Sequence, residues 1–375
     1  MKIGVAREIK QDEYRVALTP AGVVELLQHG HEVIVEHGAG RGSAIEDADF
    51  EAAGAQMVDV DTVWGDAELV LKVKEPQDGE WQRLSSGQTL FTYLHLAAAP
   101  ELTRGLAESG GICIAYETVE TPDRRLPLLA PMSEVAGRLA AQVGAYYLMA
   151  PFGGPGRLMG GVPGVLPAKV LVLGGGAVGY NAAHIAAGMQ ADVTVFERSV
   201  DRMRELDIAL GGMCLLQMST RHALEEALPK ADLVISGVLI PGARAPHLIT
   251  RDMLGLMRKG SVLVDVAIDQ GGSFETSRPT THTSPTFEVD GIVHYCVANM
   301  PGAVPITSTQ ALTNVTLPYV EAIADKGVRR AIAEDRALAL GVNVAAGKVT
   351  LRPVAEATGL PYTPLDEALS LQPVV

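Results

Sequence analysis

Lys169 to Glu197 reads KVLVLGGGAVGYNAAHIAAGMQADVTVFE, and the order of its parts decides the fold. An apolar β-type run, Val170 to Leu173, meets glycines at 174, 176 and 179; an Ala-rich helical segment follows, and a second β-type run ends on Glu197. Strand, glycine turn, helix and strand make a dinucleotide-binding βαβ unit. Gly174 permits the tight turn, Gly176 has no Cβ to block a pyrophosphate, and Gly179 lets helix and strand pack closely. Ala177 and Val178 open the helix, whose first N–H groups lack intrahelical partners and are available to phosphates. Glu197 stands 21 residues after Gly176. A carboxylate there accepts hydrogen bonds from the adenosine ribose and repels a 2′-phosphate, which favours NAD over NADP. Arg198 and Arg202 follow it. An arginine near this point can accommodate a 2′-phosphate, so Arg202 is kept among the cofactor-binding candidates beside its plainer reading as part of a solvated helix face. In a chain with 40 glycines a bare GxGxxG is weak; the flanking strands, the helix and the acidic residue make it specific.

The 375 residues suffice for about two domains, and 47% hydrophobic content can fill their cores. With 44 acidic against 30 basic residues and a net charge of −14, the chain has little electrostatic basis for binding nucleic acid. Cys113, Cys214 and Cys296 are scattered, odd in number and show no metal-ligand spacing, which fits buried thiols in a reducing cytosol. MKIGVAREIK reaches charged residues too soon for a signal-peptide apolar region. The uncharged windows near 139–156 and 170–191 are Gly- and Ala-rich and interrupted by polar residues, so neither reads as a lipid-spanning helix. The chain is expected to be soluble and cytoplasmic.

Strand and helix alternate through the first part of the chain. Strands are expected at 2–6, 32–36, 56–59, 68–73, 89–94 and 111–116, with helices after Thr19-Pro20, near 46–54 and near 100–109. That alternation implies a parallel sheet flanked by helices. A long helix starts at Pro131 with Ser133 as its N-cap. Further strands fall near 192–197, 232–236 and 261–266, and a helix restarts after Ser308. The predicted fold is α/β with two doubly wound Rossmann-like domains. The nucleotide-binding domain, 131–306, is inserted into a substrate domain made of 1–130 and 307–375, and long helices near 131–149 and 308–325 join them.

Ligands bind at the carboxyl ends of strands in open α/β sheets. Lys74 ends the run AELVLKVK, and His95 follows TLFTYL. Lys74 reads either as a surface lysine paired to Glu75 or as a cation that contacts a substrate carboxylate or polarises a carbonyl. His95 reads as a hydrogen-bonded core histidine or, beside Lys74, as a general acid/base. Arg15, between a strand and a helix, can grip a carboxylate in bidentate fashion or pair with Glu8, Asp12 or Glu13. After GSVLVDVAID, Asp265 lies within the strand as an ordinary buried carboxylate, whereas Asp269 stands at its end with glycines behind it.

With these residues in view, the chain resembles the bacterial alanine dehydrogenase family, which is related to the NAD-binding subunit of proton-translocating transhydrogenase. REIKQDEYRVALTP, LVLKVKEP, TYLHLA, APMSEVAGRLAAQ, GGGAVGYNAA, VLIPGARAP, VDVAIDQGG and YCVANMPGAVPITST carry the resemblance along essentially the whole chain. It implies reversible NAD-dependent oxidative deamination of L-alanine to pyruvate and ammonia by a homohexamer. It assigns Arg15 and Lys74 to the substrate, and His95 and Asp269 to proton transfer and water. Ser133, the Gly174–Gly179 turn, Glu197, Val238, Leu239 and Asn299 are assigned to the cofactor. Some members carry a metal-linked Glu and His; Glu117 matches the first, but Lys326 stands at the position of the second, so no metal ligand is assigned. Two rivals are a catalytically silent NAD-carrying subunit and an amino-acid dehydrogenase acting on a lysine-derived substrate. The full set Arg15, Lys74, His95 and Asp269 argues against the first. Because those residues are drawn from both expected domains, turnover is expected to need domain closure.

Overall fold

The computed structural model describes residues 1–238 and 247–370. The chain divides into two compact units, one made of Met1–Met132 with the segment from Val304 onward, the other of Ser133–Ala303.

The first unit is built on β1 (Lys2–Val5), β2 (Glu32–Glu36), β3 (Gln56–Val58), β4 (Leu69–Leu71), β5 (Thr89–Thr92) and β6 (Ile112–Ala115). All pair in parallel. Helices supply the crossovers. Thr19 caps helix Pro20–Gln28 by accepting from Gly22 N at 3.4 Å, with Pro20 at the first helical position. Asp59 caps helix Val60–Asp66 in the same way through Thr62 N at 2.8 Å. Val70, Leu90, Cys113 and Ala115 pack with Val63, Trp64, Leu102 and Leu106 of the helices on one face of the sheet. Such continuous burial is what a parallel strand covered on both faces requires.

The second unit contains β7 (Lys169–Leu173), β8 (Asp192–Glu197), β9 (Leu215–Met218), β10 (Leu233–Ser236), β11 (Val262–Asp265), β12 (Thr286–Val289) and β13 (Ile292–Tyr295). Among the described residues its sheet runs β12-β13-β11-β10-β7-β8-β9, parallel except for β12. Helix Ala177–Gly188 starts four residues after β7 and lies against helix Ala130–Tyr147. The approach is close: a Cβ on Gly137 would stand 2.3 Å from the Val178 carbonyl oxygen. Small side chains, Ala136, Ala140, Ala182, Ala183 and Ala186, fill the seam.

Beyond Val304 the chain adds β14 (Val342–Ala345) and β15 (Lys348–Val349) to the first sheet, giving the order β15-β14-β6-β5-β4-β1-β2-β3. β14 runs antiparallel to β6 and to β15, so neither sheet is wholly parallel. β9, β12, β13, β14 and β15 lie outside the strands expected from the sequence. Two helices start earlier than expected. Helix Ala130–Tyr147 begins three residues before Ser133, which therefore stands in the first turn and caps nothing. Helix Pro305–Lys326 begins before Ser308, with Pro305 at its first position and Ser308 buried within it. Among the described residues no helix is long and apolar enough to cross a membrane.

Candidate active site

In the first unit, adjacent parallel strands β4 and β5 end side by side and deliver Lys74 and His95. The pairing continues past the strands, with Tyr93 N donating to Val73 O at 3.2 Å and Thr92 Oγ1 donating to Lys74 O at 3.0 Å. Two carboxylates hold these chain ends from below. Glu8 Oε1 accepts from Val73 N at 2.6 Å and from Lys74 N at 3.3 Å. Glu117 accepts from Leu94 N at 3.2 Å and from His95 N at 2.6 Å. The second grip holds His95 in the left-handed region, φ 50°, a conformation that costs a non-glycine residue about 1–3 kcal/mol and recurs at functional sites. The His95 ring lies parallel to Tyr93 at 5.9 Å and is half-exposed, with Nδ1 3.9 Å from Glu117 Oε1.

Glu8 is itself held by a fully buried lysine. Lys72 Nζ lies 3.2 Å from Glu8 Oε2 and 2.9 Å from Glu80 Oε1. Burial disfavours its charge, but the two carboxylates outweigh that and keep the ammonium protonated. Burial pushes the Glu8 carboxyl up, and Lys72 pulls it back. Lys74 is buried rather than a surface lysine, and its sequence neighbour Glu75 bonds to Lys10. Burial pushes the Glu75 carboxyl up, yet the Lys10 bond and the nearby lysine charges hold it below the usual range.

Arg15 is buried and grips Glu13 through Nε at 2.6 Å and Nη2 at 2.5 Å, while Nη1 reaches Met132 Sδ at 2.9 Å. This is one of the ion pairs expected for it, and it fixes the guanidinium plane; Tyr93 and Glu8 lie within its electrostatic reach. Tyr93 donates to Leu128 O at 2.6 Å, and burial pushes its phenol up, so it stays a donor.

In the second unit, Gly174 has φ 87°, and a Cβ there would stand 2.8 Å from Val238 Cγ2. A Cβ on Gly179 would stand 1.8 Å from Gly174 O, which makes this glycine obligatory, whereas one on Gly176 would meet nothing within 4 Å. Ala177 and Val178 form the first turn of the helix, which no side chain caps. Glu197 is fixed at the end of β8: Oε2 accepts from Gly175 N at 2.7 Å, and Oε1 from Arg198 N at 2.6 Å and Ser199 N at 2.9 Å. Open space at Gly176, uncapped N–H groups and an anchored carboxylate fit a dinucleotide. Arg202 Nε donates to Gly175 O at 2.8 Å and braces the glycine turn, while Nη1 lies 2.6 Å from Glu205 on the same helix. Leu239 lies outside the described residues.

The two aspartates after β11 part company. Asp265 is fully buried and accepts from Ser277 Oγ at 2.5 Å, Ser273 N at 2.7 Å, Ala267 N at 3.1 Å and Phe274 N at 3.3 Å. Burial pushes its carboxyl up despite these bonds; it organises the loop. Asp269 is exposed in the turn Ile268–Gln270, and its Oδ2 accepts from Asn299 N at 3.4 Å. Asn299 also has a left-handed backbone, φ 59°. Thus Arg15, Lys74 and His95 belong to the first unit, and Asp269, Glu197, Val238, Asn299 and the glycine turn to the second. Ser133 is the first residue of the second unit.

Lys72 and Glu80 were not singled out from the sequence, and Glu8 was considered only as a partner for Arg15. The available signal was a lysine inside the apolar run LVLKVK, since a charge at the buried end of a strand requires a buried partner. The Glu–His metal pair does not fit: Glu117 is engaged by backbone N–H groups, and Lys326 is a cation 2.8 Å from Glu334.

Residues 4–136 match the model of the alanine dehydrogenase/PNT N-terminal domain and residues 140–352 that of the C-terminal domain. The chain is 62% identical to the alanine dehydrogenase of Halomonas elongata over 372 residues, 99% of this chain and 100% of that protein. A solved L-alanine dehydrogenase is similar at 50% identity with a TM-score of 0.93, over 96% of this chain and 99% of that one. A transhydrogenase from Sinorhizobium meliloti is similar at 26% identity and a TM-score of 0.79, over 94% and 99%.

Proposed function

The chain belongs to the alanine dehydrogenase/PNT family, and from that premise we infer that it is an NAD-dependent alanine dehydrogenase. It converts L-alanine, NAD⁺ and water reversibly into pyruvate, ammonium, NADH and a proton. When bound, NAD accepts the hydride that leaves the α-carbon of alanine. The rest of the chemistry belongs to side chains. Arg15 and Lys74 hold the substrate carboxylate and the carbonyl-side oxygen, and Lys74 stabilises the oxyanion that develops as the carbinolamine collapses. His95 and Asp269 activate the water that attacks the iminium carbon and protonate the departing ammonia. Gly174, Gly176, Ala177, Val178 and Gly179 receive the pyrophosphate; Glu197 receives the adenosine ribose; Arg202, Val238, Leu239, Asn299 and Ser133 complete the cofactor site. The single observation that most supports these roles is the delivery of Lys74 and His95 by neighbouring strand ends, each gripped through its backbone by a carboxylate.

The protein works as a homohexamer in the cytoplasm on this reading. Incubating it with L-alanine and NAD⁺ tests the activity through NADH absorbance at 340 nm. Steady NADH formation with pyruvate as co-product is the expected result; none at all would leave an NAD-carrying subunit of the transhydrogenase kind. A panel of amino acids in the same assay separates alanine from lysine-derived substrates.

A further inference from the structure

We propose that His29, His31 and Asp325 form a binding site for a divalent late first-row cation of the zinc class, in the first unit and separate from the residues of the reaction. The site begins with the turn that ends helix Pro20–Gln28. His29 caps the helix, and Gly30 at φ 82° reverses the chain, so His31 returns on the same side at the entry to β2. The two rings stand 6.3 Å apart, tilted by 44°. Both point at one carboxylate: His29 Nδ1 lies 3.0 Å from Asp325 Oδ2, and His31 Nε2 lies 2.8 Å from Oδ1.

The three donor atoms lie within 4.8 Å of one another. Tetrahedral zinc, with bonds of about 2.0–2.2 Å to imidazole and carboxylate, needs donors roughly 3.3 Å apart. Side-chain rotation of the two exposed members closes the triangle, because His29 and Asp325 are 42% and 39% exposed while His31, at 7%, is the anchored ligand. Its second nitrogen, Nδ1, faces the Met1 amino nitrogen at 3.4 Å. Solvent on the exposed side supplies a fourth position. Two imidazoles and one carboxylate suit zinc, nickel or copper; magnesium and calcium prefer all-oxygen sites.

Apart from the Met1 ammonium beside His31, the surroundings favour a cation independently of the donors. Asp325 lies in the last turn of helix Pro305–Lys326, so the negative ends of two helix dipoles meet here. Glu25 and Glu321 stand one turn earlier on those helices and add their charge to the field at His29. Lys326, the adjacent cation, is drawn to Glu334 at 2.8 Å. The competing arrangement is a carboxylate that merely accepts a hydrogen bond from each ring. It uses the same two nitrogens, so a titration separates the two.

Zinc chloride is titrated calorimetrically into the untagged full-length protein, with magnesium chloride in parallel. One saturable zinc equivalent per chain is expected, and none for magnesium. Zinc affinity should fall at least ~10-fold in His31→Ala and in Asp325→Asn, the scale of loss known even for outer partners of metal ligands. It should be unchanged in His222→Ala, which removes an exposed histidine elsewhere. His29→Ala, which empties no core space, serves if His31→Ala does not fold. Zinc should also raise the melting temperature of the natural protein but not of Asp325→Asn, by mass action on the folded state. No saturable zinc binding, or equal affinity in all variants, overturns the site.

Discussion

Replacing Lys72 by methionine keeps the length of the side chain and removes the charge that Glu8 and Glu80 share. Their side chains are 3% and 6% exposed, and that of Lys72 is 0% exposed. Losing one partner of a buried ion pair typically costs about 3–5 kcal/mol, because the remaining charge is stranded. A stranded carboxylate can escape by taking up a proton, which sets a ceiling. With an ordinary value of 4.5, a glutamic acid held neutral at pH 7 costs about 3.4 kcal/mol, at about 1.36 kcal/mol per pH unit. The sign follows from linkage. Without Lys72 to oppose burial, the folded-state value in the variant is raised further above the unfolded one, so the folded chain carries a proton that the unfolded chain lacks, and stability falls more steeply as pH rises above 4.5. The deficit against the natural protein should therefore be about 3 kcal/mol at pH 7 and only about 0.7 kcal/mol at pH 5. Both tryptophans, Trp64 and Trp81, belong to the first unit, so urea unfolding followed by their fluorescence reads this unit. Adding Glu8→Gln to Lys72→Met should recover more than half of the deficit, since glutamine still accepts from Val73 N and carries no charge. A deficit below about 1 kcal/mol at pH 7, or one that does not change between pH 5 and pH 7, would refute this account of the cluster.

His95→Ala and Asp269→Ala should each lower turnover at least ~10²-fold, the usual scale for lost acid/base catalysis; a near-normal rate removes that residue from the mechanism. The glycine turn offers a paired contrast. Gly176→Ala should leave stability within about 0.5 kcal/mol, because its Cβ meets nothing, yet weaken NADH binding at least ~10-fold, or about 1.4 kcal/mol. Gly179→Ala should destabilise the second unit by about 1–3 kcal/mol or more, its Cβ falling 1.8 Å from Gly174 O. Equal effects of the two on melting and on NADH titration would contradict the assignment. The three cysteines are buried, and burial pushes Cys113 and Cys296 up to about 12 and Cys214 to about 11. Native protein at pH 8 should consume no Ellman reagent within minutes, and guanidinium-unfolded protein three equivalents per chain; rapid native labelling would contradict the packing.

The NAD-binding βαβ unit was legible because its glycines, apolar runs and acidic end are all local features. The strand ends bearing Lys74 and His95 were legible for the same reason: an apolar run stops on a polar residue. Hairpin strands were missed although both carry a local sign. Asp290-Gly291 at φ 54° and 85°, and Ala346-Gly347 at φ 48° and 83°, are two-residue turns with two left-handed residues, and Asp-Gly is a strong hairpin signal. Their strands are only two to four residues long, too short for alternation to register. β9 failed differently, since three of its four residues are exposed at a sheet edge and no periodicity develops. Ser133 drew an N-cap assignment from its residue type, but the helix had already begun at Ala130. What no local reading could supply was pairing across the chain: Glu8 reaching Val73 and Lys74, or Glu117 reaching His95, is set by which strands are neighbours.

The return of β14 to β6 carries a consequence for the order of events at the ribosome. Val342 pairs with Ile114 and Ala345 with Ile112, so the first sheet lacks two of its strands until Val349 has been made. Ser133–Ala303, by contrast, is continuous and holds every strand of its own sheet. Domains generally fold as units during synthesis, and long-range strand pairing is slow. The second unit is therefore the first part that can close on itself, while β1–β6 must wait, their edge at β6 unpaired, for a segment that emerges after it.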